Sequence, residues 1–248
     1  MAIAPSSSHP PLLDTRCALF LDVDGTLIEF ADDPACVHLL PQVREDIGRI
    51  SDRLDGAVAL VSGRPLSQLD ALFAPLQLPA AGLHGHQMRA SQHAEQAAQL
   101  APEWLHELHQ KAMVYAHARP GVLVEDKGVS LALHWRGAPE LGEEITRLAH
   151  EHLPSDAGYR LQPGDHVIEY VPAGADKGRA VEQLMQYATF KGRTPVYVGD
   201  DLTDEYGFAA ANALGGWSVL VGARDSTAAG WRLEDPAAVH AWLRDNAR

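Results

Sequence analysis

Five short apolar runs, none of them alternating, constrain this chain more than any other feature. They lie at 17–23, at "GAVALVSG" (56–63), near "LPAAGLHG" (78–85), at "TPVYVGDD" (194–201) and at "GWSVLVG" (216–222). A strand buried on one face alternates polar and apolar residues, whereas a run without alternation suits a strand covered on both faces. Between several of these runs the apolar residues fall at helical spacing. Val43, Ile47, Ile50 and Leu54 form one stripe; Leu66, Leu69 and Leu72 a second; Ala180, Val181, Leu184, Met185 and Ala188 a third. Strand–helix alternation of this kind predicts an α/β fold built on a Rossmann-like parallel sheet.

The middle of the chain reads differently. Residues 101–117 and 139–153 have the pattern of amphipathic helices. "VSLALHWR" (129–136) alternates strictly, with Val129, Leu131, Leu133 and Trp135 on one face and Ser130, Ala132, His134 and Arg136 on the other. "YRLQPGDHVIEYV" predicts a hairpin turning at Pro163-Gly164-Asp165. These elements predict a smaller α+β domain inserted at 92–172. The parallel-sheet core then comprises 15–91 and 173–248, after a loose tail at 1–14. Pro172 and Gly174 read as hinge material between the two.

Composition narrows the partners. Thirty-three acidic residues against twenty basic ones give a net charge of −13. No large basic stripe is available to cover phosphates, which argues against nucleic acid or an anionic membrane as partner and leaves a small anionic substrate open. Two cysteines, Cys17 and Cys36, do not make a disulfide framework, so a reducing compartment is expected. The amino terminus "MAIAPSSSHPP" lacks the basic and apolar regions of a signal peptide, and no apolar run approaches the ~20 residues of a membrane span. The expected location is the cytoplasm.

The first apolar run, "CALFLDVDGTLIEF", ends in Asp22 and Asp24, which leave the strand on the same side. Paired carboxylates at the edge of a core repel each other and lose hydration, so something must compensate. Gly25 allows a tight turn there and Thr26 can cap the segment after it. "VGDDLTDE" repeats the arrangement with Asp200, Asp201 and Asp204. If both strands share one sheet, four or five carboxylates gather at the edge where α/β ligands bind, and a hard cation such as Mg²⁺ fits them. "LVSGRP" places Ser62 and Gly63 between a strand and a helix start, an anion site. Lys177 opens a helix, against the macrodipole, which makes sense if it faces an anion. Each piece alone also has a bland reading, as a solvated turn, a helix cap or a surface charge. All four occur in order at strand–loop–helix junctions, which points to one shared site.

In that order, "DVDGT", "SGR", "DKG" and "GDDLTDE" resemble the four motifs of the haloacid dehalogenase (HAD) superfamily of phosphohydrolases. More closely, the chain from 17 to about 221 resembles the trehalose-6-phosphate phosphatases. "LFLDVDGTL", "VSGRPLSQLDAL", "AGLHG", "EDKGVSLALHWR", "VIEYVPAGADKG" and "GRTPVYVGDDLTDEYGF" carry the likeness. The resemblance implies a HAD core with an inserted cap, and Mg²⁺-dependent hydrolysis of trehalose 6-phosphate through an aspartyl-phosphate. Asp22 would be nucleophile and Asp24 acid and base. Thr26, Ser62, Gly63 and Lys177 would hold the phosphoryl group. Asp22, Asp24 (through its backbone carbonyl) and Asp200 would hold the metal, with Asp201 and Asp204 behind them. Glu125, Lys127, Arg136 and Glu169 match the positions that bind the non-phosphorylated glucose. A trehalose-phosphate synthase enters as a partner through the shared pathway. The family usually has a glutamate shortly after "AGLHG"; here Gln87 stands there. The rivals are a HAD phosphatase for another sugar phosphate, such as sucrose or mannosylglycerate phosphate, a silent binding module, and a phosphotransferase.

Overall fold

The computed structural model describes residues 9–29, 37–90 and 101–248. Cys36, residues 1–8 of the expected tail and the expected start of the insert near 92 lie outside them. In chain order the elements are β1 (Cys17–Leu21), α1 (Pro41–Arg53), β2 (Val58–Val61), α2 (Leu66–Phe73), β3 (Ala80–Gly82), β4 (Gln87–Arg89), α3 (Glu103–His117), β5 (Leu123–Asp126), β6 (Leu131–His134), α4 (Gly142–His152), β7 (Tyr159–Gly164), β8 (Val167–Pro172), α5 (Lys177–Leu184), β9 (Thr194–Gly199), α6 (Asp204–Ala213), β10 (Trp217–Val221), β11 (Trp231–Leu233) and α7 (Pro236–Asn246). They form two compact units, Met1–Gln96 with Asp176–Arg248, and Ala97–Ala175.

The first unit holds a seven-stranded sheet in the order β11-β10-β9-β1-β2-β3-β4. All neighbours are parallel except β4, which returns antiparallel on β3. Every residue of β1, β2 and β3 is buried, as strands covered on both faces require. The chain runs outward from β1 through β2 and β3, then comes back to build β9, β10 and β11 on the other side. β1 and β9 therefore flank the point where the winding reverses, and the crevice at their carboxyl ends is where such sheets bind ligands. Phe20 stacks on Phe190 at 5.5 Å, and Trp217 meets the fully buried Trp242 edge-on at 6.3 Å. Pro11 and Leu13 of the expected tail are tied to α7: the Trp242 indole donates to Pro11 O, and Leu13 N donates to Asn246 Oδ1.

The second unit holds a four-stranded antiparallel sheet, β5-β6-β8-β7. Leu131, Leu133, Ile168 and Tyr170 pack with Leu105, Leu108 and Ala112 of α3 and with Ile145 and Ala149 of α4. On the other face one register row runs Glu125, Ala132, Glu169, Gln162 across all four strands.

Two local expectations are corrected. The hairpin turns at Asp165-His166, not at Pro163-Gly164-Asp165, because β7 continues through Pro163 to Gly164. β7 is an edge strand, and an edge tolerates a residue without an N–H donor. The alternating strand covers Leu131–His134 and does not reach Arg136. Just beyond it Gly137 meets Gly121 so closely that a Cβ on Gly121 would lie 2.4 Å from the Gly137 carbonyl oxygen.

Candidate active site

Asp22 follows β1 directly and is 4% exposed. Its N–H donates to Val198 O at 2.9 Å, extending the β1–β9 pairing by one residue. The chain then turns sharply: Gly25 has φ +79°, and its N–H donates to Ile28 O at 2.8 Å. That turn presents the Asp24 carboxylate to the guanidinium of Arg64, whose Nε and Nη2 donate to Oδ2 and Oδ1 at 2.7 and 2.6 Å.

Lys177 is the first residue of α5, behind an N-cap in which Asp176 accepts from Arg179 N. Its ammonium is buried and lies 2.8 Å from Asp22 Oδ1 and 2.7 Å from Asp204 Oδ1. The anions that justify a lysine at this helix start are thus the protein's own carboxylates.

Asp204 opens α6 and is fully buried. Its Oδ1 also accepts the Tyr197 hydroxyl at 2.8 Å, and its Oδ2 accepts the backbone N–H groups of Asp200 (3.0 Å) and Asp201 (2.9 Å). Gly199 makes this geometry attainable, since a Cβ there would sit 2.4 Å from the Asp204 carboxyl carbon. Asp200 accepts the Thr26 hydroxyl on Oδ1 at 2.8 Å, so Thr26, expected among the phosphate-holding groups, is engaged with a carboxylate. Ser62, at the end of β2, is buried and accepts from Arg64 N at 3.2 Å. The Ser62–Arg64 loop is seated on the left-handed turn at Leu83 and His84, whose N–H groups donate to Arg64 O and Ser62 O. Gln87 Oε1 accepts Leu66 N at 2.8 Å and so caps α2.

Oxygen atoms of Asp22, Asp200 and Asp204 all lie within 4.8 Å of one another. Burial and the neighbouring Asp204 charge push Asp22 well above the usual carboxylate range. The same two causes raise Asp200 to about 7. Burial alone would lower Lys177, but Asp204 and Asp22 more than offset this, and its ammonium is stabilised. With all three carboxylates ionised against one lysine the group would carry a charge of about −2, which one divalent cation would neutralise. Hard oxygen donors at this spacing fit a metal ion.

In the second unit Glu125, Lys127 and Glu169 come together. The Lys127 ammonium is 3.2 Å from Glu169 and 3.8 Å from Glu125. Ser130 Oγ donates to Glu169 Oε1 at 2.7 Å, and His134 Nε2 lies 3.1 Å from Glu125 Oε2. Burial pulls Glu125 upward, yet His134 and Lys127 prevail and hold it below its ordinary value. Arg136 instead pairs with Asp165 in the β7–β8 turn at 2.8 Å.

Sequence reasoning assigned no role to Arg64, Tyr197, Ser130 or His134. The period-2 rule offered a signal for Tyr197, which shares a strand face with Gly199, but an aromatic in an apolar run reads first as core.

A doubly wound α/β core of this kind, with carboxylates and a buried lysine at its switch point, is a HAD-like fold. The family model described as trehalose-phosphatase matches residues 20–237. The trehalose-6-phosphate phosphatase of Escherichia coli (strain K12) is 38% identical over 236 residues, covering 95% of this chain and 88% of that protein. A probable trehalose-phosphate phosphatase of Sinorhizobium fredii is 39% identical over 207 residues, 83% of this chain and 77% of that one. The C-terminal domain of the C. albicans trehalose-6-phosphate phosphatase superposes with a TM-score of 0.83 over 99% of this chain and 98% of that one; at 23% identity this bears on fold alone. The chain belongs to the trehalose-phosphatase family, whose members are phosphoric monoester hydrolases. Among the described residues no helix is long and apolar enough to cross a membrane.

Proposed function

We propose that this chain hydrolyses trehalose 6-phosphate to trehalose and inorganic phosphate with Mg²⁺ as cofactor. The observation that carries the reading is the Lys177 ammonium shared by Asp22 and Asp204, in a chain of this family. Asp22 is the nucleophile. Its oxygen bonds to phosphorus in line as the bond to the sugar oxygen breaks, which leaves an aspartyl-phosphate. Asp24 gives its proton to the departing oxygen, then takes one from the water that hydrolyses the aspartyl-phosphate. Ser62, Gly63 and Lys177 hold the phosphoryl oxygens, and Thr26 fixes Asp200 beside them. The Asp22 carboxylate, the Asp24 carbonyl and Asp200 would hold Mg²⁺, with Asp201 and Asp204 behind them. When bound, Mg²⁺ supplies positive charge where the phosphoryl oxygens need it; alignment and charge stabilisation account for most of the rate.

Glu125, Lys127, Glu169 and Arg136 read the sugar. Hydroxyls donate and accept together, so a mixed set of acids and bases satisfies both roles. We place the enzyme in the cytoplasm, with a trehalose-phosphate synthase as the partner that supplies its substrate.

The test is phosphate release from a panel of sugar phosphates by the parent and by Asp22→Asn, with melting temperature as a check on folding. The expected result is a preference for trehalose 6-phosphate, abolished in the variant while the fold is retained. A variant within a few-fold of the parent refutes the nucleophile. A preference for sucrose or mannosylglycerate phosphate refutes the substrate.

A further inference from the structure

We propose that Arg64 is a positioning residue for proton transfer, which holds the Asp24 carboxylate in place and receives the charge left on it when its proton goes to the sugar oxygen. The inference rests on the reading of Asp24 as acid and base.

The two carboxylates of "DVD" are served by different cations. Asp22 lies on Lys177, in the group shared with Asp204, whereas Asp24 lies in the two-toothed fork of Arg64. The two partners are unequally fixed. The Arg64 side chain is 9% exposed and the Asp24 side chain 31%. Arg64 is also pinned along its backbone: its N–H donates to Ser62 Oγ at 3.2 Å, its carbonyl accepts Leu83 N at 3.0 Å, and Pro65 comes next. Its Nη1 reaches Gln68 Oε1 at 3.4 Å. A buried, anchored fork therefore grips the more exposed carboxylate.

The chemistry gives that fork a purpose. In the first half-reaction the bond from Asp22 to phosphorus forms, the bond from phosphorus to the sugar oxygen breaks, and a proton moves from Asp24 to that oxygen. Negative charge develops on Asp24 as its proton leaves. Two N–H donors already aimed at its oxygens meet that charge without rearrangement, which is how preorganised donors lower a barrier. The resulting carboxylate, accepting on both oxygens, has the form needed to take a proton from the attacking water in the second half-reaction.

A leaving group that needs no proton separates this role from phosphate binding or folding. Rapid-quench bursts of the first product are measured with trehalose 6-phosphate, which releases an alcohol, and with p-nitrophenyl phosphate, which releases a stable anion. For Arg64→Ala we expect the trehalose burst to slow on the order of 10²-fold, the scale of general acid catalysis, and the nitrophenolate burst to slow less than about threefold. Arg64→Lys, with one point charge for the planar fork, is expected to fall between parent and alanine with trehalose 6-phosphate, and it carries the test if the alanine variant melts early. Equal losses with both substrates, or a loss with neither, overturn the proposal. Asp24→Asn distinguishes the two failures. If it loses the trehalose burst selectively while Arg64→Ala does not, Arg64 alone is wrongly assigned. If it spares the trehalose burst, the reading of Asp24 falls and the inference with it.

Discussion

Protons and a divalent cation compete for the same carboxylates, and the competition has a calculable slope. In the metal-free protein Asp200 is raised to about 7 by burial and by Asp204. A cation held by Asp200 must displace that proton. With a pKa of about 7, the ionised fraction falls from about nine-tenths at pH 8 to about one-hundredth at pH 5. The apparent Mg²⁺ affinity should therefore fall about tenfold between pH 8 and pH 6 and on the order of 100-fold by pH 5, or about 3 kcal/mol. Asp22, also raised, steepens the loss. A carboxylate at the ordinary value of 3.8 would stay almost fully ionised over that whole range. Titration calorimetry at fixed ionic strength, with Mg²⁺ or Mn²⁺ and no substrate, reads the slope directly. An affinity flat within twofold from pH 8 to pH 6 would refute the crowding of Asp22, Asp200 and Asp204. The metal-free fold should carry the same signature in its stability. Because the folded-state value of Asp200 lies above the unfolded one, the native state holds more protons between 3.8 and about 7, and stability falls as pH rises through that window.

Tyr197→Phe removes one of two donors from a buried oxygen of Asp204; a loss of about 1–3 kcal/mol is expected, read as a drop in melting temperature of about 2–4 °C per kcal/mol. Gly207→Ala places a Cβ 2.5 Å from the Tyr197 ring, so overpacking of about 1–3 kcal/mol is expected in the same melting assay. Ser130→Ala takes the hydroxyl donor from Glu169; steady-state kinetics should show KM for trehalose 6-phosphate raised several-fold with kcat within about twofold.

The elements that a helical or unbroken apolar pattern marks were legible in the sequence. α1 spans Pro41–Arg53 and carries Val43, Ile47 and Ile50 inward, as the spacing required. The two acidic turns were legible for the same reason: a carboxylate at the end of a buried strand must answer for its burial. Three-residue strands such as β4 and β11 are too short to show a period. Leu83 and His84 sit in left-handed backbone because their N–H groups serve the Ser62–Arg64 loop, a tertiary cause that no local pattern encodes. Arg64 and Tyr197 were missed because their partners lie 40 and 7 residues away in sequence, and only the folded chain brings them within hydrogen-bond reach.

Sequence alone left the roles of Asp201 and Asp204 exchangeable, and hydrogen bonding breaks the symmetry. A carboxylate offers about four lone-pair sites. Asp204 fills its sites with Lys177, Tyr197 and two backbone N–H groups. To bind a cation directly it would have to shed one of these buried donors, and an unpaired buried donor costs about 1–3 kcal/mol. Asp200, by contrast, has one oxygen engaged by Thr26. On the proposed reading Asp22 and Asp200 would hold the cation, while Asp204 accepts from the Asp200 and Asp201 N–H groups and shares the Lys177 ammonium with Asp22. The same residue that crowds Asp22 with negative charge also contacts the ammonium that moderates it, so the environment of the proposed nucleophile depends on Asp204 whether or not that carboxylate touches the cation.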